Sequence, residues 1–401
     1  MLRSRVVVSV VLVAALAGCG RSGLTGVTAR TGTAQALEAS QPIGLSLLAS
    51  LDLNHDGRIA ATEASWLQED FGAIDANRDG LASQAELDAY FQNTGRGQDA
   101  ALLKPEAIAP GIIGGGVAGL AALGLAGYLT YTGLKGSHDF MYPKKETFAK
   151  PPSDYGYAFD EVPFKSHDGL KLAGWYVPAD VPTTKGIVIL HGHGSNKDTA
   201  FKKYGPMLHD HYNLFIFDQR YCGQSEGPYS TLGYLEDKDA AIAVQQLRER
   251  GNTSIGLMGE SMGAAVAIDT GAQVPDVKAV WADCAFDSLY DAVEPRAKAR
   301  KYPLPQLVAQ SVNKTVALRS HCAVEQADPV RWVAKLAPRP LVIVHGQKDD
   351  ETTPDNGEKL FLAAKEPKQI WRTPEARHAE SWKLYPQEYA ERMRTFFDDA
   401  L

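Results

Sequence analysis

The length and composition of the chain exclude several classes of protein. It has 401 residues, enough for one large domain or two unequal ones, and its 44% hydrophobic and 22% charged residues are ordinary for a soluble globular protein. The net charge is −7 and no large basic block is present, so a nucleic acid is not expected as a partner.

Residues 1–19 have the features of a signal peptide. Arg3 and Arg5 precede an apolar run at residues 6–16 that is too short to cross a bilayer comfortably. The run ends in Leu16-Ala17-Gly18-Cys19, which resembles a bacterial lipobox, in which the cysteine becomes the lipidated first residue of the mature chain. We therefore expect a membrane-associated lipoprotein of the cell envelope; an ordinary cleaved signal and a plain anchor helix are the alternatives.

Two near-identical loops of 12 residues follow a flexible tether at residues 20–40. Both match the EF-hand pattern D-x-[DN]-x-[DN]-G-x5-E, in which alternate positions of a curled loop turn oxygens toward calcium. An EF-hand pair is therefore predicted at residues 41–92, with calcium in a structural or regulatory role. The predicted ligands are Asp52, Asn54, Asp56, Arg58 and Glu63 in the first loop and Asp75, Asn77, Asp79, Leu81 and Glu86 in the second, where Arg58 and Leu81 supply backbone carbonyls.

A polar linker at residues 93–110 leads to a glycine-rich segment at residues 111–134. The segment has no charged residue and is long enough to cross a bilayer, and Tyr128 and Tyr131 stand near one end as interfacial anchors would. A transmembrane segment is predicted here, and a buried or flexible hinge is the alternative. A lipid on Cys19 together with this span would place the two domains on opposite faces of a membrane, so the face that carries the second domain stays open.

From residue 139 onward, short strands alternate with helices, which indicates an α/β fold with a doubly wound, mostly parallel sheet. The predicted strands lie at residues 162–164 and 170–177, which form a hairpin, and at residues 186–190, 214–218, 254–260, 277–282 and 340–344; helices are predicted at 235–250 and 387–400. Residues 285–336 are longer than a plain crossover needs. They form either a small lid over the site described next or a long helical connection.

The predicted nucleophile is Ser261 in the stretch Gly259-Glu260-Ser261-Met262-Gly263, between an apolar strand and a small-residue helix. Such a turn holds a serine in a strained conformation with its hydroxyl exposed at the top of a sheet. The acid then follows a later strand, and the histidine comes last. Asp349 and His378 occupy these places, and the spacing from His345-Gly346 favours Asp349 over the neighbouring Asp350.

An oxyanion hole is predicted from the backbone N–H groups of Met262 and His193. His193 belongs to His191-Gly192-His193-Gly194, which no acidic or cysteine ligand adjoins, so a zinc site is not expected. No Gly-x-Gly-x-x-Gly with a downstream ribose acid is present, so no dinucleotide is implied. The polar residues expected to have structural roles at strand ends are Asp218, Ser225, Asp283 and Asp287.

Residues 139–401 resemble the bacterial membrane-associated α/β-hydrolases that are labelled serine aminopeptidase-like or dienelactone-hydrolase-like. The matching stretches are Phe140-Met141-Tyr142-Pro143, residues 167–176, residues 191–196, Gly259 to Gly263, His345 to Asp349, and His378. The resemblance implies an α/β-hydrolase fold and a serine mechanism on esters, thioesters or peptides, and an anchor segment commonly precedes the Tyr-Pro. The EF-hand pair departs from the commonest form of the family.

The sequence thus predicts a membrane-associated serine hydrolase that cleaves an ester, thioester or amide through an acyl-enzyme and binds calcium outside the reaction. A peptidase of the same fold is one alternative. A calcium-binding scaffold lipoprotein with a silent hydrolase domain is the other, and the complete Ser-Asp-His set argues against it.

Overall fold

The computed structural model describes residues 59–60, 74–83, 85–87, 89, 116–145 and 150–401. The chain forms two compact units, residues 1–132 and residues 133–401. The predicted signal peptide with Cys19, the predicted tether and the predicted linker lie outside the described residues. So do the predicted first-loop ligands Asp52, Asn54, Asp56, Arg58 and Glu63.

The described part of the first unit contains a short antiparallel pair, β1 (Ile59–Ala60) and β2 (Leu81–Ala82), in which Ile59 pairs with Ala82. Each strand lies in one of the two predicted EF-hand loops, so the loops are paired through their middle residues. Helix α1 (Gly116–Met141) begins in the first unit and ends in the second.

The second unit is built from one large sheet. Its strands are β3 (Asp160–Lys165), β4 (Lys171–Val177), β5 (Lys185–Leu190), β6 (Asn213–Phe217), β7 (Ser254–Glu260), β8 (Val277–Asp283), β9 (Leu341–Gly346) and β10 (Lys368–Thr373). Its further helices are α2 (Lys197–Leu208), α3 (Glu236–Glu249), α4 (Met262–Gln273), α5 (Leu289–Ala299), α6 (Pro305–Ser320), α7 (Pro354–Ala363), α8 (Ser381–Leu384) and α9 (Pro386–Ala400). Short 3₁₀ helices lie at Pro152–Tyr155, Val324–Ala327, Pro329–Arg331 and Val333–Lys335.

The eight strands lie in the order β10-β9-β8-β7-β5-β6-β4-β3. Strand β4 runs antiparallel to both of its neighbours, and the pairs from β6 to β10 are parallel. The predicted hairpin and mostly parallel sheet are therefore confirmed. Because the parallel strands end at one edge of the sheet, the loops after β5, β7, β9 and β10 meet there.

Two hydrophobic clusters cover the two faces of this sheet. Along β5, Val188 and Leu190 belong to one cluster, with residues from α3 and α4, while Ile187 and Ile189 belong to the other, with residues from α2 and α9. Successive side chains of a strand point to opposite faces, so an uninterrupted apolar run is buried on both sides. This burial explains why the central strands could be predicted from their composition.

Strand β10 was missed by the sequence analysis. It lies at the edge of the sheet, its sequence combines Lys368, Gln369 and Arg372 with only two apolar residues, and most of its side chains are only half-buried or exposed. A strand with one neighbour keeps polar residues, because one side of it faces solvent.

The prediction of a membrane span at residues 111–134 is not supported. Of the helices that the structure describes, none combines the length and the apolar character that a bilayer crossing requires. At the C-terminal end of this segment and just beyond it, Gly133 and Gly136 face α6. A Cβ at Gly133 would lie 2.4 Å from Oγ of Ser311, and one at Gly136 would lie 2.5 Å from Cγ2 of Val312. The glycines therefore let the end of α1 pack closely on α6.

Candidate active site

Ser261 occupies a sharp turn between β7 and α4. Its backbone has φ 55° and ψ −119°, a region that costs a residue with a side chain conformational energy. A Cβ at Gly259 would lie 2.1 Å from the carbonyl oxygen of Gly263, and one at Gly263 would lie 2.2 Å from that of Leu190. Both glycines are therefore required for the strand and the helix to approach, as the sequence pattern predicted.

Three predicted residues meet at the carboxyl edge of the sheet. The Oγ of Ser261 is 2.9 Å from Nε2 of His378, and Nδ1 of His378 is 2.8 Å from Oδ2 of Asp349. Ser261 follows β7, Asp349 follows β9 and His378 follows β10. The arrangement links a hydroxyl, an imidazole and a carboxylate in one hydrogen-bonded row, the geometry that activates a serine.

The carboxylate of Asp349 is held by its own loop. Its Oδ1 accepts hydrogen bonds from the backbone N–H groups of Glu351 (2.9 Å) and Thr352 (3.0 Å). The Thr352 hydroxyl lies 3.0 Å from Oδ2 of Asp349 and 3.1 Å from Nδ1 of His378. Thr352 was not predicted from the sequence, since only the folded loop shows that its hydroxyl reaches both the Asp349 carboxylate and the His378 ring.

The rival carboxylate, Asp350, points away from His378. Its side chain is 63% exposed and forms an ion pair with Arg377, whereas the side chain of Asp349 is fully buried. Adjacent residues in this turn therefore have different environments, and the structure places Asp349, not Asp350, beside the imidazole.

Charge and hydrogen bonding set the protonation of the pair. Burial acts to raise the pKa of Asp349, but the hydrogen bond and the charge of His378 outweigh burial and hold that pKa below its usual value. Burial acts to lower the pKa of His378, but Asp349 and the charge of Glu351 hold it above its usual value, against an opposing effect of Arg296. Asp349 is therefore ionised at neutral pH, and the pKa of His378 lies above its usual value because of Asp349.

Both predicted oxyanion-hole residues lie beside Ser261. Met262 begins α4, where the first backbone N–H groups have no partner within the helix and the helix dipole favours negative charge. His193 follows β5, and a Cβ on the preceding Gly192 would lie 3.5 Å from Cβ of Ser261. Burial lowers the pKa of His193, and its Nε2 lies 2.7 Å from the carbonyl oxygen of Phe140, so the neutral ring donates there and holds the loop.

A cavity of about 370 Å³ opens onto Ser261. Its apolar wall consists of Phe140, Leu232, Met262, Phe286, Leu289 and Ala292. Two ion pairs also line it: Lys203 contacts Glu260 at 2.7 Å and Arg296 contacts Glu351 at 2.7 Å. The wall formed by Phe286, Leu289 and Ala292 belongs to residues 285–336, hereafter the cap, so the beginning of this segment forms part of the cavity wall.

A family sequence model for the α/β-hydrolase fold matches residues 186–304. The uncharacterized protein YfhR of Escherichia coli is 27% identical over 270 residues, which cover 65% of this chain and 87% of YfhR. The uncharacterized protein YqkD of Bacillus subtilis is 27% identical over 285 residues, or 67% of this chain and 92% of YqkD.

Among solved structures, the Pyrococcus furiosus esterase Pf2001 matches with a TM-score of 0.56 and 24% identity, over 65% of this chain and 98% of the esterase. The hypothetical protein PA2218 from Pseudomonas aeruginosa matches with a TM-score of 0.51 and 18% identity, over 65% of this chain and 99% of that protein. The second unit has the α/β-hydrolase fold. It is called the hydrolase-fold unit below.

The four residues expected to have structural roles in the hydrolase-fold unit, Asp218, Ser225, Asp283 and Asp287, are all buried. Asp218 accepts from the Lys197 ammonium at 2.6 Å, and the Ser225 hydroxyl donates to the Asp218 carbonyl at 2.5 Å, which fixes the loops after β5 and β6. Asp283 accepts from the Tyr389 hydroxyl at 2.8 Å, and burial raises the pKa of Asp283 to about 7.

The acidic side chains of the second predicted EF-hand loop accept hydrogen bonds from the backbone of the same loop. Asp75 accepts from the backbone N–H of Gly80 (2.8 Å), Asp79 from that of Leu81 (2.9 Å), and Glu86 reaches back to that of Asn77 (3.2 Å). Gly80 has φ +84°, as the sharp bend at this position requires. Two aspartates, an asparagine, a glutamate and the Leu81 carbonyl are hard oxygen donors, so the chemistry of this loop fits calcium.

Proposed function

We propose that the protein is a serine hydrolase that cleaves an acyl ester, thioester or amide. The observation that carries the proposal is the hydrogen-bonded row of Ser261, His378 and Asp349, with Ser261 held at positive φ on the turn after β7. The likeness of the fold to a protein named as an esterase supports the same reaction class. Fold alone does not specify a substrate, so the class rests on the site.

In the first half of the reaction, Oγ of Ser261 attacks the substrate carbonyl while Nε2 of His378 accepts the serine proton. Asp349 holds the imidazole with Nδ1–H toward itself and stabilises the positive charge that develops. The negative oxygen of the tetrahedral intermediate is stabilised by the backbone N–H groups of Met262 and His193. His378 then donates its proton to the leaving alcohol, thiol or amine, and the acyl group stays on Ser261.

In the second half, a water molecule replaces the leaving group. His378 accepts a proton from that water, the resulting hydroxide attacks the acyl-enzyme, and the same two N–H groups stabilise the second oxyanion. Collapse releases the carboxylic acid and returns the proton to Ser261. A cavity of about 370 Å³ is small for a ligand site, which favours short acyl groups.

We also propose that calcium binds the EF-hand loops and that a lipid on Cys19 attaches the chain to the cell envelope. In the second loop, Asp75, Asn77, Asp79 and Glu86 with the Leu81 carbonyl would hold the ion. Calcium there would order the loop and its paired neighbour, and no step of the hydrolysis passes through it.

The test is the initial hydrolysis rate of p-nitrophenyl esters of rising acyl length, compared between wild type and Ser261→Ala. We expect activity that is highest for short acyl chains and is lost in Ser261→Ala. Wild type that hydrolyses peptide anilides but no ester would make it a peptidase, still dependent on Ser261. Wild type with no activity on esters, thioesters or anilides would refute the proposal in favour of the silent scaffold.

A further inference from the structure

Helix α6 of the cap is apolar on two opposite sides. Its buried side is formed by Val308, Ala309, Val312 and Val316. On the other side, Leu307 and Leu318 are 36% and 55% exposed, and Leu304, which immediately precedes the helix, is 49% exposed. With about 100° between successive residues, Leu307, Lys314 and Leu318 fall within an arc of about 40°. A surface helix ordinarily has polar residues opposite its core-facing side.

These leucines are unusual because they are grouped. Elsewhere in the hydrolase-fold unit, the described large apolar side chains with comparable exposure are Val181, Leu362 and Leu384, which lie in separate segments. Single exposed apolar residues are normal on a protein surface and need no explanation, whereas three on one short segment call for one. We call Leu304, Leu307, Lys314 and Leu318 the cap stripe.

The chain segment that carries the cap stripe is basic. Residues 295–324 contain no aspartate or glutamate and six basic residues, Arg296, Lys298, Arg300, Lys301, Lys314 and Arg319, in a chain of net charge −7. Some of these cations are paired with acids outside the segment, such as Lys298 with Glu294. Lys301 and Lys314 are exposed and form no ion pair with the residues that the structure describes.

We propose that the cap stripe docks the hydrolase-fold unit onto an anionic lipid surface. The leucines would enter the boundary between headgroups and acyl chains, while the ammonium groups of Lys301 and Lys314 reach the headgroup phosphates. The stripe is about 20 Å long and one helix wide, or about 200 Å². A stable protein partner buries about 800 Å² on each side, so the stripe alone is too small for one.

The position of the stripe gives docking a use. Helix α5, which packs against α6 in the cap, contributes Leu289 and Ala292 to the wall of the cavity over Ser261. Docking through α6 would therefore hold the cavity near the bilayer surface, where acyl substrates are concentrated. Stable attachment to a membrane takes two signals, such as one lipid chain and a basic patch. The stripe would be the second signal beside a lipid on Cys19.

The test is co-sedimentation of the full chain with vesicles of phosphatidylcholine alone and with added phosphatidylglycerol. The leucine variant combines Leu304→Ser, Leu307→Ser and Leu318→Ser, and the lysine variant combines Lys301→Glu and Lys314→Glu. Leu362→Ser is the matched control, because it changes an exposed leucine outside the cap. We expect wild type and the control to bind phosphatidylglycerol vesicles alike. Affinity should fall at least about thirtyfold in the lysine variant, the usual contribution of two basic side chains at an anionic surface.

The leucine variant should lose binding at least as strongly, and added salt should weaken binding by wild type. Each stripe variant should keep the thermal unfolding midpoint of wild type, because all five side chains are exposed. If the triple variant does not fold, the single change Leu318→Ser replaces it.

Equal binding by wild type and all stripe variants would overturn the proposal. So would a stripe variant that changes the elution volume from dimer to monomer, which would make the stripe a contact between copies. Binding should persist in Ser261→Ala, which separates this result from the test of hydrolysis.

Discussion

Replacing Asp349 by asparagine should abolish most of the activity through the tautomer of His378. In the native loop, two backbone N–H groups donate to Oδ1 of Asp349, so the amide oxygen of the introduced asparagine must take that place. The amide NH₂ then occupies the position of Oδ2, which is 2.8 Å from Nδ1 of His378. Since two donors cannot face each other, Nδ1 becomes an acceptor and Nε2 carries the hydrogen.

An Nε2–H facing Ser261 cannot accept the serine proton. The loss of a correctly oriented base in a serine triad lowers kcat about 10⁴-fold, which corresponds to about 5 kcal/mol of transition-state stabilisation. The neighbour Asp350 supplies the matched control. Its ion pair with Arg377 is 63% exposed on both sides, and such pairs contribute at most about 1 kcal/mol, so Asp350→Asn should change the rate less than about fivefold.

The assay is kcat and KM for a short-chain p-nitrophenyl ester, with the thermal unfolding midpoint measured on each variant. We expect Asp349→Asn to keep KM and its fold while kcat falls. A kcat within tenfold of wild type for Asp349→Asn, or an equal loss in Asp350→Asn, would show that the carboxylate at 349 does not orient the base.

Three further predictions concern pH, stability and calcium. The kcat/KM of wild type should fall as pH drops through the pKa of His378, since the protonated ring cannot accept a proton. Because Asp349 raises that pKa, the half-maximal point should lie above the usual value of about 6.5. A midpoint below 6.5 would contradict the effect of Asp349 on His378. Lys197→Met leaves Asp218 buried without its cation, so the free energy of unfolding measured in urea should fall by about 3–5 kcal/mol. The control Arg248→Ala removes an exposed ion pair and should lower it by less than about 1 kcal/mol. Equal losses in the two variants would refute the argument from burial. Calcium should raise the unfolding midpoint of wild type and raise it less in Glu86→Gln; an ester-hydrolysis rate that chelator leaves unchanged would restrict calcium to a structural role.

The local elements of the hydrolase-fold unit were open to prediction because they are encoded in consecutive residues. A buried parallel strand must be apolar on both faces, which makes the runs before His191 and Ser261 recognisable. The turn around Ser261 needs a glycine at 259 because its own backbone passes close by, and a glycine at 263 because the helix passes the carbonyl of Leu190. The order of nucleophile, acid and histidine follows from the order of the strands, and so Ser261, Asp349 and His378 could be chosen before their distances were known.

What the sequence could not determine depends on residues far apart in the chain. The segment 111–134 has the composition of a membrane span, yet Gly133 near its end faces Ser311, and Gly136 just beyond it faces Val312, at distances that only tertiary packing sets. Thr352 joins the site because its loop turns the hydroxyl toward His378. The spacing from His345-Gly346 already favoured Asp349 over Asp350, and the fold adds that Asp349 is buried beside His378 while Asp350 faces solvent. Sequence periodicity specifies which side of an element is buried, whereas the partner that buries it is decided by the packing of the whole unit.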